Sequence, residues 1–169
     1  MKPHKGFVDA ESKPGQGARF SLFFPATKRQ SGFDVKRSHQ TSASVHSSET
    51  ILLVDDEAQL LELLRVSLQR EGYHVSTAMT GAEAQRLFEE YRDEIDLVIS
   101  DLGLPKMDGS TLLSVLKRSN PDVNVILESG YLEPGLKEEL LKRGASAVIQ
   151  KPCTAGTMLE IVREVLDRR

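Results

Sequence analysis

Five times after Glu49, a short apolar run is followed by a segment with helical spacing, and this alternation limits the fold more than any other feature of the chain. The apolar runs are TILLVD (50–55), YHVSTA (73–78), IDLVIS (95–100), NVILES (124–129) and SAVIQ (146–150). They are short and β-rich, and YHVSTA alternates apolar with polar residues as a strand does. Between them, Leu60, Leu61, Leu64 and Leu68 share one helical face, and Gly72 stands where a helix C-cap glycine belongs. Thr80 followed by Glu83 forms a capping box ahead of Ala84, Leu87, Phe88 and Tyr91. GSTLLSVLKRS stops at Asn120–Pro121, and EPGLKEELLKRG (133–144) reads as a mostly polar helix. The last helix carries Met158, Ile161, Val162 and Val165 at i, i+3, i+4 and i+7. Five β–α units predict a doubly wound α/β fold, a five-stranded parallel sheet with helices on both faces. Right-handed crossovers bring every strand's carboxyl end to one edge, where such sheets place their ligands.

The first 48 residues differ in character. GFVDAES and RFSLFF flank KPGQGA (13–18), which predicts a β-hairpin with a glycine turn, closed by Pro25. Residues 27–48 are Ser-rich, basic and nearly free of large apolar side chains, the composition of a flexible linker. Domain boundaries are therefore expected at 1–26, 27–48 and 49–169.

With 25 acids against 22 bases the net charge is −3, which gives no global attraction to nucleic acid or to an anionic membrane. No apolar run approaches a membrane span, and the N-terminus lacks a signal-peptide core. The single cysteine, Cys153, leaves no internal disulfide framework and suits a reducing compartment. A cytoplasmic location is expected, as a free chain or as the cytoplasmic end of a membrane-bound protein. His4, His39, His46 and His74 show no metal-ligand spacing.

The ends of the apolar runs carry the chemistry. The first ends in Asp55, Asp56 and Glu57, the third in Asp101, the fourth in Ser129–Gly130 and the fifth in Lys151–Pro152. The predicted topology gathers them in one cleft. Clustered carboxylates raise one another's pKa, and a hard divalent cation relieves the repulsion. An aspartate kept ionised beside such a cation can attack phosphorus, with the cation and a lysine neutralising the developing charge.

These residues resemble a response-regulator receiver domain, the phosphoacceptor module of two-component signalling. The resemblance rests on ILLVDDE (51–57), DLVISDLGLPKMDG (96–109), VILESGY (125–131) and VIQKP (148–152). It implies the flavodoxin-like strand order 2-1-3-4-5. It also implies that Asp101 is the phosphoacceptor, Asp56 a direct ligand of Mg²⁺ (or Mn²⁺), and Asp55 an indirect one through water. The Gly103 main-chain carbonyl completes that set, Ser129 and Lys151 contact the phosphoryl group, and Pro152 follows a cis peptide. Two positions depart from the family pattern. Val148 stands where receivers often carry the switch Phe or Tyr, leaving Tyr131 as the substitute candidate. Gly103 offers no side chain at a position that tunes aspartyl-phosphate lifetime.

Residues 4–25 resemble the last hairpin of a histidine-kinase ATP-binding domain, without its nucleotide-binding motifs. The whole is similar to the C-terminal piece of a hybrid histidine kinase. Implied partners are a histidine-kinase core, a histidine-phosphotransfer protein, or both, with no nucleic acid and no membrane contact. A homodimer through the hairpin's open edges is the further association the sequence allows. By itself the chain is expected to accept phosphate rather than to act as an enzyme. Two other readings compete: a receiver fold kept as a non-phosphorylated interaction module, and an aspartyl-phosphate phosphatase. The phosphatase would need Asp-x-Asp after the first strand, where this chain has Asp55–Asp56–Glu57.

Overall fold

The computed structural model describes residues 7–13, 15, 17–23 and 49–168. The linker expected at 27–48 and the closing Pro25 lie outside them. The chain divides into two units near residue 42.

The first unit holds a two-stranded antiparallel hairpin, β1 (Phe7–Lys13) and β2 (Gly17–Phe23). Its pairing runs from Phe7 opposite Phe23 to Lys13 opposite Gly17. The turn is tighter than the six residues the sequence suggested. Gly15 and Gly17 take φ of +76° and +84°, a region glycine enters without a Cβ penalty, and this lets Lys13 and Gly17 pair. At the open end the Phe7 and Phe23 rings stack 4.5 Å apart.

The second unit is the expected α/β fold. Its strands are β3 (Thr50–Val54), β4 (His74–Ala78), β5 (Ile95–Asp101), β6 (Asn124–Ser129) and β7 (Ala147–Gln150). All pair in parallel in the order β4-β3-β5-β6-β7, which is 2-1-3-4-5 counted within the sheet. The helices are α1 (Ala58–Arg70), α2 (Gly81–Glu90), α3 (Gly109–Ser119), α4 (Leu136–Lys142) and α5 (Ala155–Leu166).

Successive strand side chains point to opposite faces, so each buried strand feeds two cores. Leu52, Val54, Val98, Val125, Leu127 and Val148 pack against Ala84 and Phe88 of α2, Leu112, Leu113 and Leu116 of α3, and Leu140 of α4. The alternate row, Ile51, Leu53, Leu97, Ile99, Ile126 and Ile149, packs against Leu61 and Leu68 of α1 and Met158, Val162 and Val165 of α5. Truncating any such fully buried leucine to alanine typically costs about 2–5 kcal/mol.

Local signals place the helix ends. Gly72 takes φ +97° just past α1. The Thr80 hydroxyl accepts from the Glu83 N–H, while the Glu83 carboxylate reaches the Met79 N–H rather than that of Thr80. α4 is shorter than the twelve-residue helical pattern suggested. Gly135 sits at φ +87°, a left-handed conformation that cannot belong to a right-handed helix, so the helix starts only at Leu136.

Candidate functional site

The row of side chains facing α1 and α5 is apolar until each strand reaches its carboxyl end, and there it becomes charged. Continuing Ile51 and Leu53 by two residues gives Asp55, and continuing Leu97 and Ile99 gives Asp101. The same step from Ile126 gives Glu128 and from Ile149 gives Lys151. One period-two rule therefore delivers three carboxyl groups and one ammonium to the same edge of the sheet.

Lys151 Nζ sits between two of the acids. It lies 2.8 Å from Asp55 Oδ2 and 3.1 Å from Asp101 Oδ1. Burial opposes its charge, but the hydrogen bonds it donates to Asp55 and Asp101 outweigh that cost and hold the ammonium well above the usual lysine pKa. It is therefore fully protonated at neutral pH. Asp55 also accepts from the Glu57 main-chain N–H at 2.8 Å, which fixes the turn into α1.

The loop after β5 closes tightly on the acceptor candidate. The Gly103 N–H donates to Asp101 Oδ2 at 3.1 Å, and a Cβ at Gly103 would stand 3.1 Å from that same oxygen. Gly109 opens α3 against the Asp101 backbone, where a Cβ would lie 2.4 Å from the Asp101 carbonyl oxygen. Any larger residue there would push α3 away from the site. Asp108 caps the helix, its carboxylate accepting from the Thr111 N–H at 2.7 Å.

The remaining sequence candidates divide. Asp56 is exposed, next to the buried Asp55. The Ser129 hydroxyl belongs to the opposite strand row, with Val125 and Leu127. It donates to the Tyr131 carbonyl at 2.6 Å and accepts from the Tyr131 N–H at 3.3 Å. Its hydrogen bonds are thus spent on its own turn. Tyr131 is 71% exposed, and Val148 is buried in the α2–α3–α4 core. The Lys151–Pro152 peptide is cis.

Sequence reasoning missed Glu128. It is only 5% exposed, and burial pushes its carboxyl pKa above the usual range, with Lys151 pulling the other way. The signal was available: an acid inside the apolar run NVILES, on the row of Ile126.

Among the described residues no group of three or more His, Cys, Asp or Glu is arranged as a side-chain metal cage. A hard cation such as Mg²⁺ takes one or two carboxylates and fills its shell with water, main-chain or phosphate oxygens. The donor set at this edge is all oxygen: Asp55, Asp56, Asp101 and the Gly103 carbonyl.

A family model described as the response regulator receiver domain matches residues 51–163. The chain is similar to the sensor kinase CckA of Brucella abortus, 31% identical over 175 residues covering all of this chain and 18% of the kinase. It thus spans less than a fifth of that relative. A response regulator receiver domain protein from Clostridium thermocellum superposes with a TM-score of 0.68 and 31% identity, covering 71% of this chain and 95% of that one. The CheX–CheY–BeF3–Mg complex from Borrelia burgdorferi gives a TM-score of 0.67 and 31% identity, covering 69% and 88%.

Proposed function

The chain belongs to the response regulator receiver domain family, and on that premise we propose that Asp101 accepts a phosphoryl group from a phosphohistidine on a partner protein. A carboxylate oxygen of Asp101 attacks phosphorus and forms the new P–O bond. The P–N bond to the imidazole breaks, and the imidazole leaves with the electron pair and takes up a proton. The single observation that carries this reading is the Lys151 ammonium, held 3.1 Å from Asp101 and 2.8 Å from Asp55. It is a fixed positive charge at the place where negative charge builds on the transferred group.

Asp56, Asp101 and the Gly103 carbonyl would hold Mg²⁺ (or Mn²⁺), with Asp55 acting through water. When bound, the cation would neutralise charge on the phosphoryl oxygens. Lys151 keeps the acceptor ionised and pairs with the product. Phosphorylation would draw Lys151 toward the new oxygens, and Ser129 would exchange its Tyr131 partner for one of them. Because Val148 is core and Tyr131 points outward, the loop after β6 carries the change without an inward-swinging ring at residue 148. The donor is a histidine-kinase core or a histidine-phosphotransfer protein. The similarity of this chain to 18% of a sensor kinase supports this pairing, and supports reading residues 1–26 as the last hairpin of a kinase ATP-binding domain. No described helix is long and apolar enough to cross a membrane.

A second reading, an interaction module that is never phosphorylated, is favoured by one observation: the Ser129 hydroxyl is already satisfied by Tyr131. Intact-mass measurement with Mg²⁺ and acetyl phosphate separates the two. The phosphoacceptor reading expects a gain of one phosphoryl group that is lost in Asp101→Asn and with chelator. No gain, together with no Mg²⁺ binding, would leave the interaction module.

A further inference from the structure

Beside the acceptor site, between α1 and the start of α5, lies a pocket of about 370 Å³. Its wall is mostly apolar, built by Leu60, Leu63 and Leu64 of α1 and Met158 of α5. This volume falls in the range of small-molecule sites, which combine an apolar wall with a few fixed polar groups. The polar groups here are Asp55, Lys151 and Glu128.

Glu128 is the unexplained one. It is 95% buried, lines the pocket, and accepts no hydrogen bond from any described residue. Lys151 is near enough to act on it electrostatically, but donates to Asp55 and Asp101 instead. Its oxygens open onto the pocket, where solvent meets them, and burial of the rest of the side chain disfavours the charged form. Nothing in the phosphoryl chemistry uses it. Its surroundings also choose the sign of a ligand. Three carboxyl groups, those of Asp55, Asp101 and Glu128, face one ammonium, so an anion is repelled and a donor cation is drawn in. The wall excludes a strongly hydrated metal ion but suits a nitrogen carried on a hydrocarbon body.

We propose that this pocket binds a small amphiphile with an apolar body and one cationic nitrogen, the nitrogen donating to the Glu128 carboxylate and the body packing on Leu60, Leu64 and Met158. The site goes beyond the phosphoacceptor reading, and its test needs neither Mg²⁺ nor a phosphodonor. Failure of one therefore leaves the other standing.

The probes are hexylamine, hexan-1-ol and hexanoate, titrated into the full chain without Mg²⁺ and followed by amide and methionine-methyl NMR. Hexylamine should give saturable shifts at Leu63, Glu128, Cys153 and Met158, binding about tenfold tighter than the alcohol, while hexanoate stays silent. It should also slow alkylation of Cys153, the chain's one cysteine, which lines the same pocket. Glu128→Gln keeps the shape and should erase the preference for the amine over the alcohol. Glu160→Gln, exposed on α5 and outside the pocket lining, should preserve it. Thermal melts of both variants confirm folding. Equal binding of amine and alcohol, an amine preference that survives Glu128→Gln, or no saturable shift up to the solubility of the amine would each overturn the proposal.

Discussion

Two clusters in this molecule look alike on paper: Lys151 between Asp55 and Asp101, and Arg163 between Glu49 and Asp167. Both place one cation between two carboxylates at similar distances. Lys151 lies 2.8 and 3.1 Å from its partners, and Arg163 lies 2.9 and 2.8 Å from Glu49 and Asp167. Both cations are held above their usual pKa by hydrogen bonds that outweigh burial. What differs is the edge of the sheet. Arg163 ties α5 to Glu49, immediately before β3, at the strands' amino ends. Lys151 sits at the carboxyl ends, beside Asp101 and the loops that follow the strands. The lesson is that charge geometry alone does not mark a site in a parallel sheet; its position along the strands does.

The comparison can be broken. Lys151→Ala should slow Asp101 phosphorylation by about 100-fold or more, the cost of losing one fixed charge from a transition-state clamp. Arg163→Ala should leave that rate within a factor of about two, because its cluster touches none of the reacting groups. Rates from intact-mass time courses would show this, and an equal fall in both variants would dissolve the distinction.

Stability should divide the other way. Glu128→Met removes a mostly buried carboxyl whose charge burial disfavours, so it should stabilise the fold by about 1 kcal/mol in denaturant unfolding. Arg163→Ala should destabilise by about 1–2 kcal/mol, since it leaves Glu49 half-buried without its partner; solvent screening of this partly exposed pair keeps the loss small. The carboxyl edge thus carries a carboxyl that costs stability, while at the amino edge the ion pair adds to it although Glu49 Oε2 and Arg163 Nε are buried without a hydrogen-bond partner among the described residues.

The smallest effect sharpens how the acceptor loop is held. The Thr111 N–H on Asp108 keeps that carboxyl below its ordinary value of 3.8, against a smaller opposing effect of burial. A depressed folded pKa means the cap's contribution is present above the unfolded value and is lost as pH falls through the folded one. Asp108→Ala should therefore cost about 1 kcal/mol at neutral pH, and the difference from the parent chain should shrink below about pH 4. A difference independent of pH would mean that the cap acts without its charge.

Much of this was legible before any coordinates. The strand order followed from the resemblance, and the acids and lysine at strand ends were visible because each closes an apolar run. Gly72 and Thr80 gave helix ends by their own backbone chemistry. Other features were hidden for physical reasons. Glu128 hid inside an apolar run that was read only for its last residue, Ser129; counting the alternate row would have exposed it. Glu49 and Arg163 are 114 residues apart, and no local pattern pairs them. The late start of α4 depends on the Gly135 φ, which a helical pattern in the sequence does not report. The orientation of Ser129 toward Tyr131 is a rotamer choice, which sequence leaves open.

The most direct test locates the phosphoryl group itself. Chain phosphorylated with acetyl phosphate and Mg²⁺ is treated with borohydride, which reduces an acyl phosphate to an alcohol and so converts the modified aspartate to homoserine. Tandem mass spectrometry of the peptides then reads the position. The account predicts homoserine at residue 101 alone, at an undiminished level in Arg163→Ala and nearly absent in Lys151→Ala. Homoserine at 55 or 56, or modification indifferent to Lys151, would contradict it.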